Sequence, residues 1–132
     1  MNPVSEDIKD ILLEDSSLGL AFGTNLFIGR EPSLHSNCVT IFDIPGYQPQ
    51  LLLAGGEAGF FNDSFQVRIR NTDYKTGYAL ANDIMVLLHG LEHVTYNSTL
   101  YMVIYCTSGP AMLGWDDNNR VIFIINFNLQ RR

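Results

Sequence analysis

Near the start of the chain Val4, Ile8, Ile11 and Leu12 recur on one helical stripe. Asn2 and Pro3 precede them and suit an N-cap and a first helical position. Glu6 and Asp7 fall in the early turns, where the helix dipole favours negative charge. The pattern predicts a helix over about 3–15, stopped by Ser16, Ser17 and Gly19. Leu20–Gly29 (LAFGTNLFIG) reads as a first strand. Cys38–Asp43 (CVTIFD), rich in β-branched and aromatic residues, reads as a second. Ser33–Asn37 is the polar turn between them. Pro45, Pro49, Gly55, Gly56 and Gly59 then break the pattern. Ile44–Asp63 reads as a long loop, with room for a short extended piece at Leu51–Leu53.

From Phe65 the chain alternates. Phe65, Val67 and Ile69 share one strand face, and Gln66, Arg68 and Arg70 share the other. Thr72 or Asp73 caps a helix in which Tyr74, Gly77, Tyr78, Ala81, Ile84, Met85 and Leu88 keep helical spacing. Gly90 is the natural C′ residue, and the small Gly77 and Ala81 let this helix lie close to a sheet. Strands at about 100–107 and 120–128 follow, separated by the turn signal Asp116-Asp-Asn-Asn119 with Gly114-Trp115 just before it. The order α-β-β-loop-β-α-β-β predicts an α+β fold: a small mixed or antiparallel sheet of about five strands, with two helices packed on one face.

The 132 residues, 46% of them hydrophobic, suit one domain spanning 1–132 with a single core. Only 17% are charged, which leaves surface for a partner to cover. Eight Lys and Arg against fourteen Asp and Glu give a net charge of −6. That balance argues against a duplex-DNA binder, although an acidic wall can serve DNA by repelling it. Six charged residues within the first fifteen exclude a secretory leader and place the chain in a reducing cytoplasm, with Cys38 and Cys106 as free thiols. The longest apolar run, Leu51–Ala54, is too short to cross a bilayer.

Candidate chemistry is sparse. His89 and His93 (HGLEH) are four apart, but Gly90 ends the helix between them and the order is not H-E-x-x-H. His35 has no mate. Cys38 and Cys106 lie in apolar strands and read as buried and inert. Asp43, Asp63 and Asp73 sit at element ends, where carboxylates cap turns. Gly55–Gly59 lacks the G-K-[ST] of a phosphate loop. No catalytic, metal or cofactor set emerges. Arg68 and Arg70 are either simply solvated or an interface pair, since the guanidinium fork suits carboxylates across a boundary. Asp116 and Asp117 of a neighbouring copy would be their counterparts in a symmetric assembly.

The run Cys38–Asp43, the turn Gly46-Tyr-Gln-Pro49, the strand Gln66–Arg70 and the helix Asp73-Tyr74…Gly77-Tyr78…Ala81…Ile84…Leu88-His-Gly90 together resemble a family of phage minor capsid proteins. These are the tail terminators of long-tailed, siphovirus-type phages. The resemblance spans about residues 3–128 and rests on the order and spacing of these stretches rather than on one motif. It implies a structural protein and not an enzyme. It implies a hexameric ring on the end of the tail tube that stops tube polymerisation and meets the head connector. Partners would be further copies of the chain, the tube protein and the connector or stopper. DNA would pass through the lumen without specific binding, and no membrane is involved. The protein would assemble in the bacterial cytoplasm and reside in the virion. Tyr47, Leu52, Phe60 and Phe61 in the 44–63 segment, and Trp115 at the hairpin, are candidates for contact with the tube or a neighbour. The alternatives are a head-completion or neck protein on the portal side, a small cytoplasmic enzyme using a cleft near 44–63, and a ligand-binding module.

Overall fold

A computed structural model describes residues 1–51 and 58–132. Helix α1 (Val4–Glu14) leads through a single 3-10 turn, Ser16–Leu18, to strand β1 (Leu26–Ile28). Strands β2 (Cys38–Leu51) and β3 (Ala58–Asn71) precede helix α2 (Tyr74–Leu88). Strands β4 (Leu91–Tyr96), β5 (Thr99–Trp115) and β6 (Val121–Arg131) complete the chain. The fold is α+β, with a mixed sheet of six strands, ordered β1-β2-β3-β6-β5-β4, that curls into a half-barrel around two helices. Among the described strands only the β1–β2 pair is parallel.

Alternation explains the central strands. Along β6 every odd residue from Val121 to Arg131 is buried and every even one is half-buried. Its apolar odd residues meet Phe65, Val67 and Ile69 of β3 in register, and the Phe65 and Phe127 rings stack at 4.8 Å. Ile8, Ile11 and Leu12 of α1 and Ala81, Ile84 and Leu88 of α2 close over this row. Each fully buried large side chain here contributes about 1.5–3 kcal/mol. Gly77 is small for a packing reason: a Cβ there would lie 3.0 Å from the Phe123 ring and from Asn71 Cβ.

The structure corrects several expectations. The sheet has six strands rather than about five, because β4 forms at Leu91–Tyr96, between the second helix and the strand expected at 100–107. Residues 44–51 and 58–63 are strand rather than loop. Strand β2 continues to Leu51 and β3 starts at Ala58, and the two pair antiparallel as an arm. Register shifts between Ile44 and Tyr47, and between Tyr47 and Gln50, take up Pro45 and Pro49. Strand β1 reaches only Val39–Ile41, so both prolines lie on an edge, where a missing N–H is tolerated. The first strand is three residues rather than ten, since Gly23 (φ 85°) and a turn at Thr24-Asn25 interrupt it. Strand β5 runs on to Trp115 through bulges and absorbs most of the expected connection. Asn2 does not cap α1. Asp43 of β2 accepts from the Ser5 N–H (2.9 Å) and the Ser5 hydroxyl (2.6 Å), so a strand supplies the cap. The cap of α2 is as expected, with Asp73 accepting from Thr76 N–H at 2.9 Å and Gly90 following the helix at φ 89°.

Candidate assembly surfaces

The strand register sends two hairpins to opposite ends of the sheet. Strand β3 pairs with β6 from Phe61↔Arg131 to Asn71↔Val121. The β2–β3 arm therefore extends past the Arg131 end, while the β5–β6 turn closes at Trp115↔Val121. On the arm, Tyr47 is 67% exposed, and Phe60 is half-buried with the Arg132 guanidinium 5.9 Å from its ring. Phe61 is half-buried at the base of the arm. Leu52, and with it most of the extended piece at 51–53, lies outside the described residues. At the opposite end Trp115 is half-exposed and stacks on Tyr74 at 6.5 Å. Tyr74 and Tyr78 meet Phe123 edge-on and are themselves partly exposed.

Three of the four charged residues singled out as an interface, Arg68, Arg70 and Asp116, have partners within the chain. Arg68 and Arg70 do occupy the helix-free face, but that face is not open where they lie. Residues 30–36 fold back over it. Arg70 donates to Glu31 Oε1 (3.0 Å) and to the carbonyls of Pro32 and His35, and its side chain is only 4% exposed. Arg68 places Nε 3.8 Å from the other Glu31 oxygen and its guanidinium 5.6 Å from the Phe42 ring, and remains 30% exposed. One carboxylate thus sits between two guanidinium groups. Asp116 turns back onto its own hairpin. It accepts from Arg120 Nε (2.7 Å) and from the main-chain N–H groups of Asn118 and Arg120. Burial raises the Asp116 carboxyl, but these bonds from Arg120 and Asn118 outweigh it and hold the group below its usual range. Arg120 also donates to Ser33 O at 2.9 Å. Asp117 is exposed.

Glu31 and Arg120 are the members of this cluster that strand alternation did not reveal. The available signal was charge placement: Glu31 opens the turn before β2, and Arg120 follows directly on the Asp116–Asn119 turn.

Beyond this cluster a central band of the helix-free face is neutral. Asn62, Ser64 and Gln66 of β3 face Gln130, Asn128 and Asn126 of β6. The side chains satisfy one another laterally. Ser64 donates to Asn128 (2.6 Å), Gln66 to Asn126 (3.0 Å), Gln130 to Asn62 (3.3 Å) and Asn126 to Ser108 (2.9 Å). The acidic wall expected from composition is therefore absent from this band of six residues.

The chemical candidates are dispersed. His89 accepts from Cys106 N–H at Nδ1 (2.9 Å), whereas His93 lies on β4, so the two do not share a helix face. Burial pushes both thiols up, Cys38 more fully enclosed than Cys106. Asp43 caps α1, Asp63 pairs with Arg131 at 2.7 Å and Asp73 caps α2. No helix among the described residues is long and apolar enough to cross a membrane.

Comparison with known proteins gives matches of two kinds. A family model described as "Bacteriophage tail terminator protein" matches residues 8–132. Among solved structures, a chain from "Virion of native gene transfer agent (GTA) particle" superposes with a TM-score of 0.69. The match covers 98% of this chain and 94% of that one at 14% identity, a likeness of fold alone. No curated protein matches.

Proposed function

The chain belongs to the bacteriophage tail terminator family, a structural component of the phage tail and virion, and from that premise we propose that it forms a ring capping the tail tube. Six copies close the ring. One face of it ends tube polymerisation and the other receives the head connector or stopper. DNA crosses the lumen without being held.

The observation that carries this reading is the pair of hairpins at opposite ends of one sheet. A junction protein needs two separate contact regions facing opposite ways. The β2–β3 arm with Tyr47, Phe60 and Phe61 supplies one, and the Trp115–Tyr74 end supplies the other. The neutral band suits the lumen. Its amides and hydroxyls are spent on one another, so few donors remain for phosphates, and its six residues carry no charge. The electrostatic term that dominates DNA affinity is then missing from the transit surface.

The test is tube length. Purified protein added to polymerising tube subunits should halt growth at a length set by the time of addition. Host cells infected with phage lacking the protein should accumulate overlong tubes. Tubes of normal length in its absence would refute the terminating role. Normal tubes together with DNA leaking from filled heads would assign the protein to the head side instead.

A further inference from the structure

The turn between β1 and β2 is held as a rigid knob. Two buried arginines tie its main chain down: Arg70 at the carbonyls of Pro32 and His35, and Arg120 at the carbonyl of Ser33. Between these anchors Leu34 points away from the protein with 91% of its surface exposed, the highest value among the exposed large apolar residues described. A fixed turn loses little conformational entropy when its apex is buried in a partner, so the clamp pre-organises a contact. Arg30 at the base of the knob is exposed and has no ion-pair partner among the described residues.

A recess of complementary character lies across the sheet, on the helix side. The 3-10 turn after α1 and the outward face of α2 enclose an open cleft of about 510 Å³. Leu18, Val86 and Leu87 form its apolar walls, with Val86 65% exposed. Asp15 and Asp83 stand at its rim. Asp83 has no ion-pair partner among the described residues.

We infer that Leu34 of one copy seats in the Leu18–Val86–Leu87 cleft of the next, with Arg30 against Asp83 and Asp15. Apolar apex meets apolar wall, and a free cation meets a free carboxylate. The two patches are different surfaces on opposite sides of one sheet, so the contact is heterologous and propagates around a closed ring. This deepens the ring reading and rests on it.

The experiment uses assembled virions carrying Leu34→Cys together with Val86→Cys, treated with a short bis-maleimide crosslinker. The sheet separates the two positions within one chain, so linkage must run between copies. The expected result is a ladder of linked copies ending at the closed ring. Each single variant gives no ladder, which controls for Cys38 and Cys106. In parallel, Arg30→Glu should weaken self-association by about tenfold, and Asp83→Arg in the same chain should restore most of it. Both positions are exposed, so melting temperature should not move. Full incorporation into particles without a ladder, or a link to a different virion protein, overturns this contact and leaves the ring standing. Absence of the unaltered protein from particles overturns both.

Discussion

Arg70→Ala is expected to destabilise the single chain itself and not merely an assembly of chains. The side chain is 4% exposed and donates to one carboxylate oxygen of Glu31 and to two main-chain carbonyls. Truncation leaves Glu31 without its close partner and both carbonyls without a donor. Breaking a buried ion pair by removing one member costs about 3–5 kcal/mol, and each orphaned acceptor about 1–3 kcal/mol before relaxation. Because water can reach the relaxed turn and hydrate both carbonyls, the ion-pair cost alone applies, about 3–5 kcal/mol. In a chain of this size that corresponds to a melting shift of roughly 10–20 °C. Arg68→Ala is the matched control: it is 30% exposed and makes no hydrogen bond at Nε, so its loss should cost under about 1 kcal/mol. Urea denaturation of monomeric protein reads both. Pairing Arg70→Ala with Glu31→Ala should show a coupling of about 1–3 kcal/mol. If Arg70→Ala unfolds within about 1 kcal/mol of the parent while oligomers vanish, the clamp is wrong and Arg70 is an interface residue after all.

Asp43→Ala removes the only side-chain cap seen on α1 and should cost about 1–2 kcal/mol in urea midpoint analysis. Gly46→Ala would place a Cβ 2.2 Å from the Asn62 carbonyl oxygen, so hydrogen exchange should show the β2–β3 arm losing protection while the β3–β6 pairing keeps it. Burial, and then the hydrogen bond to Glu14, hold the Tyr96 hydroxyl up at about 12 against an ordinary value of 10.0. Below pH 10 both folded and unfolded chains keep this proton. Between pH 10 and about 12 the unfolded chain releases it first, so stability should fall across that window, and Tyr96→Phe should shrink the fall in a denaturation series taken against pH. Replacing Gln66 and Asn126 together by Lys puts two cations on the neutral band of each copy. Salt-dependent DNA retention should appear, with a steeper dependence on log salt than the parent shows, and DNA ejection should slow.

Alternation made the middle of the fold legible. Phe65, Val67 and Ile69 read as an inward row from sequence, and they are fully buried. Helix α2 was equally readable, since Asp73, Gly77 and Gly90 each mark a geometric requirement that the structure imposes. The 44–63 segment misled because proline and glycine ordinarily end strands, and only the short reach of β1 leaves β2 an edge that tolerates them. Strand β4 was hidden because His93 sits at φ 53° and the pattern Leu91–Tyr96 carries two polar interruptions. Arg68 and Arg70 show a different limit. Period-2 spacing gives the face a residue occupies, but not what lies over that face. The turn that covers them is contributed from nearly forty positions earlier in the chain, as the Arg70–Glu31 separation of 39 shows.

A ring of the proposed kind would lie at the junction of tail and head, so its location within the particle is decisive. The protein should be labelled in intact virions, its copies counted and its position found by electron microscopy. About six copies are expected at the head–tail junction, in keeping with a closed ring, released with the tails when particles are split. Label retained on tail-less heads, or no label in the particle at all, would contradict it.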